Sequence, residues 1–278
     1  MKRLLTIQDL SCVGQCSTTV ALPLVSACGV ECAVLPPAML SNHTAPGFRG
    51  WSFCDLTDEM KKVEAKWVEQ GIRFDAFYTG YVCESHIDPI LSIMRTCANP
   101  GAIRIVDPAM ADNGVLYRGF AADFPSRMLR LCEGADYLLP NVTEAALLTG
   151  EDAKTIGAWK SCQSREVIER LVAKLHGSGV RTVVLTGVSF DEAEVGTAVS
   201  DGKTIAYDFN PRNPRNSHGT GDVFASVFAG AVLRGKPAPE AAALAADMVC
   251  AAIEATDSDH WYGVSFEKVI PNLVAAVR

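Results

Sequence analysis

The 278-residue chain carries little charge for its length, 21% Asp, Glu, Lys and Arg, and nowhere a run of basic residues. Its 25 Lys and Arg stand against 32 Asp and Glu, a formal net charge of −7. That balance offers no footprint for nucleic-acid phosphates or an anionic membrane, so a small molecule is the expected partner. Long apolar runs are missing too: the longest, at 20–30 and 241–253, contain Ser, Gly or Asp, and a membrane span needs roughly 18 to 20 apolar residues. Lys2 and Arg3 are followed by an apolar stretch that Gln8 and Asp9 cut short, too brief for a secretory core segment, and the expected compartment is the cytoplasm. No Pro, Gly or Ser-rich linker divides the chain, so one domain spanning 1–278 is expected. The 49% hydrophobic content in turn excludes disorder.

The ten cysteines contain no Cys-x-x-Cys pair, and only Cys12/Cys16 and Cys28/Cys32 lie close together. Zinc frameworks need such pairs. All ten are therefore expected to be reduced and mostly buried. Two nucleotide signatures are absent as well: G-x-x-x-x-G-K-[ST], and G-x-G-x-x-G after the first strand. Those absences exclude a P-loop kinase and a Rossmann dehydrogenase.

What the sequence does have is alternation. Short apolar runs at 4–8, 32–35, 76–79, 103–107, 137–139 and 182–186 alternate with helical patterns, the signature of a central, mostly parallel sheet flanked by helices. Ligands of such sheets bind beyond the carboxyl ends of the strands, which directs attention to Asp9, Gly80, Asp107, Asn141 and Gly187. Segments 195–200 and 203–208, joined by Asp201-Gly202, predict an antiparallel hairpin at one edge. Helices are predicted at 221–234, 238–255 and 265–277, and Pro23 should kink the helix at 18–28 or shift its start.

Three clusters carry chemistry. Gly219-Thr220-Gly221-Asp222 precedes an apolar run; a glycine turn feeding a helix leaves backbone N–H groups aimed outward, an anion site, unless Thr220 merely caps the helix. Asp222 in the first turn is suited to take a proton from a hydroxyl attacking a phosphoryl group. Asp107-Pro108 with Asp112, and Asn141 with Glu144, put oxygen donors at strand ends, which suits Mg²⁺; Asn141 and Glu144 also have the spacing of a capping box. Ser41-Asn42-His43-Thr44 and Thr79-Gly80-Tyr81 supply hydroxyls, an imidazole and a ring fit for contacting a substrate.

In order and spacing, Ile7-Gln8, Ser41 to Thr44, Thr79-Gly80-Tyr81, Asp107-Pro108, Asn141 with Glu144, and Gly219 to Asp222 resemble the pyridoxal kinase family of the ribokinase-like superfamily, over about residues 4–255. The resemblance implies a ribokinase-like α/β fold and ATP-dependent phosphorylation of a B6 vitamer on its 5′-hydroxymethyl group. It implies Asp222 as base, with Gly219, Thr220 and Gly221 forming the anion hole. It implies Asp107, Asp112, Asn141, Glu144 and Thr186 around ATP, and Asp107 and Glu144 toward Mg²⁺. Thr44, Tyr81, His43 and Asp9 would line the acceptor pocket, and residues 207–210 would lie against the nucleotide. A homodimer and a monovalent cation also follow from the resemblance alone. One position departs from it: Asp9 stands where the family has Ser. That leaves hydroxymethylpyrimidine kinase of thiamine synthesis as the alternative activity, and a noncatalytic vitamer or nucleotide binder as the alternative class.

Overall fold

Residues 3–7, Arg-Leu-Leu-Thr-Ile, are buried at four of five positions rather than alternately, the pattern of a strand covered on both faces. The computed structural model, which describes residues 1–45, 47–158, 160–215 and 217–277, pairs this strand in parallel with Glu31–Val34 and with Phe74–Thr79. The chain divides into a first unit, Met1–Ile103 with Asn213–Arg278, and a second, Arg104–Arg212. The strand Ala98–Val106 runs through both. The eight-stranded sheet is mostly parallel, has helices about it and ends in antiparallel strands, the α/β class that the sequence predicts.

In the first unit the helix Thr220–Leu233 is buried at every position from Val223 to Leu233. A helix apolar all round must lie inside the core. Its Gly230 lets it approach the helix Thr18–Ala27, since a Cβ there would collide with Cys28 Sγ. Pro23 sits inside Thr18–Ala27 without shifting its start. A small second sheet, Leu10–Ser11, Ala38–Leu40 and Phe53–Asp55, lies outside the main one. The segment at 265–277 is a 3₁₀ turn, Phe266–Val269, followed by the helix Ile270–Ala276; Pro271 occupies the first turn of the second piece, where its missing N–H costs nothing.

In the second unit Tyr137–Leu138 pairs in parallel with the end of Ala98–Val106 and with Thr182–Val188. Glu194–Ser200 and Ile205–Pro211 then add antiparallel strands. The hairpin between them is longer than the two-residue turn expected. Residues 201–204 form the loop, because Asp201 Oδ1 accepts from the amides of Lys203 and Thr204, both at 2.9 Å. Gly187 falls within a strand, at a register shift and with φ +73°, rather than beyond a strand end.

All ten cysteines are free, but Cys12, Cys54 and Cys162 are exposed, so fewer are buried than the composition suggested. Among the described residues no helix is long and apolar enough to cross a membrane.

Candidate active site

The first unit holds Asp9, His43, Thr44, Tyr81 and the Gly219–Asp222 turn. Gly219, with φ +78°, is the N-cap of the helix Thr220–Leu233. Only glycine fits, since a Cβ would strike the carbonyl oxygen of Gln15. No side chain caps this helix, so Thr220 does not play the capping part that the sequence left open. Gly221 is exposed and has open space where a Cβ would project. The first-turn amides thus face a clear approach, as an anion site requires.

Asp222 lies in that first turn, half-buried. Burial raises its pKa to about 7, opposed by the Ser17 N–H that it accepts and aided by the nearby carboxylate of Asp9. The helix dipole alone would favour the ionised form, so desolvation wins here. Ser17 has φ +49°, a strained conformation for a residue with a Cβ. Its amide is held toward Asp222 by the fold, and no local signal in the sequence announces it.

Asp9 is 4% exposed and its pKa is raised by burial, against hydrogen bonds from the hydroxyls of Ser17 and Ser11. Ser11 Oγ donates to Asp9 Oδ2 at 3.0 Å. Beyond burial, the charge of Asp9 also pushes up the thiol of Cys16, after Asp222, and the half-buried phenol of Tyr81, after Cys83. Asp9, Cys16, Tyr81 and Asp222 are therefore electrostatic neighbours. His43 packs against His218, ring centroids 5.9 Å apart. Burial and that neighbour lower its pKa to about 4, so its imidazole is neutral at neutral pH. Thr44 is exposed beside it.

The second unit holds Asp107, Asp112, Asn141, Glu144 and Thr186. Asn141 and Glu144 realise the capping box fully: Glu144 N donates to Asn141 Oδ1 at 2.9 Å and Asn141 N to Glu144 Oε2 at 2.8 Å. Glu144 does more. Its Oε1 also accepts from Met110 N at 3.0 Å and Ala111 N at 3.4 Å, and Asn141 Nδ2 donates to Ala111 O at 2.8 Å. These bonds fasten the loop after Asp107 to the start of the helix Val142–Thr149. Burial, at 2% exposure, still holds Glu144 above the usual carboxylate range. Asp107 is buried, and Glu144 and Asp107 both add to burial in pushing up the thiol of Cys132, which brings the two carboxylates into one neighbourhood. Asp112 is exposed and accepts from Asn113 N at 2.8 Å.

Thr186 bridges to Asn141 through the backbone, with Thr186 N donating to Pro140 O at 2.9 Å. A cavity of about 160 Å³ opens there, lined among others by Asp112, Asn141, Thr143, Lys160, Gly187 and Arg212. Lys160 and Arg212 give it positive charge, a contribution that the motifs did not single out. In the 207–210 stretch, Tyr207 and Phe209 pack with Phe190, and the Arg165 guanidinium lies 4.9 Å from the Tyr207 ring centroid.

Among the described residues no three His, Cys, Asp or Glu side chains converge as metal ligands. Mg²⁺ does not need three, because it keeps most of its waters. The carboxylate chemistry of Asp107 and Asp112 fits it, whereas the Asn141 side chain is already engaged by Glu144 N and Ala111 O. Glu144 fits at one remove, through water, since both its oxygens already serve backbone amides.

A family model described as phosphomethylpyrimidine kinase matches residues 51–264. A Bacteroides thetaiotaomicron protein assigned to the phosphomethylpyrimidine kinases, crystallised with pyridoxal, is 32% identical, with a TM-score of 0.89 over 98% of this chain and 95% of that one. The crystal structure of pyridoxal kinase from Lactobacillus plantarum is 30% identical, with a TM-score of 0.88 over 99% and 98%. Pyridoxal kinase PdxY of Rubrobacter xylanophilus is 27% identical over 91% of this chain and 87% of its own. With its helix-start carboxylate and Asn141–Glu144 pair, the chain belongs to the phosphomethylpyrimidine kinase family and stands with the pyridoxal kinases of the ribokinase-like superfamily.

Proposed function

We propose that this chain transfers the γ-phosphoryl group of ATP to the 5′-hydroxymethyl group of a vitamin B6 vitamer, pyridoxal, pyridoxamine or pyridoxine. The observation that carries the reading is Asp222, a carboxylate in the first turn of an uncapped helix with a pKa raised to about 7. A base is most effective when its pKa lies near the working pH. Asp222 takes the proton of the hydroxymethyl group, the oxygen attacks the γ-phosphorus, and ADP leaves. The amides of Gly219, Thr220 and Gly221 stabilise charge on the transferring group. Thr44, Tyr81, His43 and Asp9 contact the ring of the acceptor.

Asp107, Asp112, Asn141 and Thr186 serve the nucleotide side, Asp107 directly and Glu144 through water toward Mg²⁺. When bound, the cation neutralises charge on the phosphates. The family resemblance extends the reading to one catalytic domain, a homodimer in the cytoplasm and a monovalent cation as activator. Mass measurement in solution and assays with and without K⁺ test the dimer and the activator.

A second activity, phosphorylation of hydroxymethylpyrimidine, is favoured by the description of the family model matched over 51–264. ATP-dependent phosphorylation of pyridoxal, pyridoxamine, pyridoxine and hydroxymethylpyrimidine, assayed side by side, separates the two. Turnover of the B6 vitamers above the pyrimidine supports the first reading. Preference for the pyrimidine overturns it, and binding without turnover of any of the four would leave a noncatalytic binder.

A further inference from the structure

The segment that presents Ser17 to Asp222 is anchored from the far end of the chain. Gln15 Nε2 donates to both carboxylate oxygens of Glu267, at 2.9 and 2.7 Å. Gln15 Oε1 lies 2.6 Å from His260 Nε2. The two partners fix the amide's orientation, because a carboxylate only accepts and the Gln15 oxygen only accepts, so the His260 ring donates from Nε2. The fit is close: a Cβ on Gly263 would come within 2.5 Å of Gln15 Cβ and 2.7 Å of its Oε1. The backbone oxygen of the same residue fills the space that a Cβ on Gly219 would need.

The segment leading to the anion site is tied to the same place. Arg215 donates to the carbonyl oxygens of Thr256 at 2.7 Å, Asp257 at 2.8 Å and His260 at 2.6 Å. His260 is thus gripped twice, by its carbonyl from Arg215 and by its ring from Gln15. Lys268 Nζ braces the turn through Ala255 O at 2.8 Å and Asp257 Oδ2 at 2.9 Å. The Gln15–Glu267 link joins the 14–17 segment to the 3₁₀ turn Phe266–Val269. Its effect is on the loop that carries the amide facing the proposed base.

We infer that Gln15 is a positioning residue for phosphoryl transfer: clamped between Glu267 and His260, it holds the Gly14–Ser17 segment so that the Ser17 N–H stays on the Asp222 carboxylate and the Gln15 carbonyl backs Gly219. This inference rests on the proposed role of Asp222 as base. The charged and titratable groups facing Asp222 are Asp9 and Cys16. Those facing the clamp are Glu267 and His260, with Asp257, Arg215 and Lys268 around the turn. Loosening the clamp withdraws a donor from the ionised form of Asp222, which raises its pKa.

The test is a pair swap on the full-length protein. Gln15→Glu alone sets two carboxylates face to face. Gln15→Glu with Glu267→Gln restores an amide against a carboxylate, leaves His260 an acceptor and conserves net charge. In Gln15→Glu the acid limb of kcat should move up by about half a pH unit or more and kcat at pH 7 should fall about threefold or more, with KM for ATP within about twofold of wild type. The double variant should recover both. Glu267→Gln alone keeps volume and tests the clamp should Gln15→Glu fold poorly. An unmoved acid limb in both single variants, or a double variant no better than Gln15→Glu, overturns the inference. Asp222→Asn, run alongside, separates the two failures: an active Asp222→Asn overturns the base itself, whereas a dead one with an unmoved limb in the clamp variants overturns only the clamp.

Discussion

Two carboxylates, half-buried Asp222 in the first unit and buried Glu144 in the second, are both pushed above the usual carboxylate range by desolvation, yet they are held in opposite ways. Glu144 accepts from the amides of Asn141, Met110 and Ala111 and closes a capping box. Among the described residues Asp222 accepts from one backbone amide, that of strained Ser17, and faces the charge of Asp9. The first arrangement satisfies a buried charge and fastens a loop. The second leaves a charge short of donors at an open helix start, at a cost in stability that suits the role of base proposed for it. A raised pKa by itself therefore does not distinguish a base from a brace; the number of donors does.

That contrast is broken most severely by removing each carboxylate's charge. Asp222→Asn keeps shape and cannot accept a proton, so kcat should fall by on the order of 10² to 10⁴, while thermal stability at pH 8 should equal or exceed that of wild type. The sign follows from linkage. The folded pKa of Asp222, about 7, lies above its ordinary value of 3.8, so between those values the folded state binds more protons and stability falls as pH rises. Melting curves from pH 4 to 8 check that Asp222→Asn removes part of that decline.

Next in size is the acceptor. Asp9→Ser should lower the ratio of kcat/KM for pyridoxamine over pyridoxal by about tenfold, roughly 1.4 kcal/mol, because a desolvated carboxylate favours a cationic amine. An unchanged ratio with only a lower melting temperature would assign Asp9 to the loop, where Ser11 and Ser17 already engage it.

The smallest kinetic effect falls on Glu144→Gln. An amide cannot accept from all three backbone donors, so unfolding by urea should reveal a loss of about 1 to 3 kcal/mol. The Mg²⁺ concentration giving half-maximal activity should rise, with ATP binding retained; a coincident Mg²⁺ titration would remove Glu144 from the cation's surroundings.

Much of this was legible in the chain because the signals are local. The β-branched runs became parallel strands, the glycine turn became an uncapped helix start, and Asn141 with Glu144 became a capping box. The strand Ala98–Val106 begins earlier than the apolar run at 103–107, because Asn99, Pro100 and Gly101 carry no strand signal of their own. Asn113-Gly114 is itself a hairpin signal: with φ +52° and +80° it joins Ala111–Asp112 to Val115–Leu116. Gln15 was not legible at all, because its partners lie 245 and 252 residues away. Ser17 was hidden for the same reason, its backbone being set by tertiary packing and not by its neighbours in sequence.

The central claim, that Asp222 is the base and titrates near neutrality, is tested most directly by the pH dependence of kcat with saturating pyridoxal, ATP and Mg²⁺. The account predicts a rise of about tenfold per pH unit below an apparent pKa of about 7, a plateau above it, and no such limb in the residual activity of Asp222→Asn. A profile already flat from pH 5 upward, or the same limb in Asp222→Asn, would contradict it.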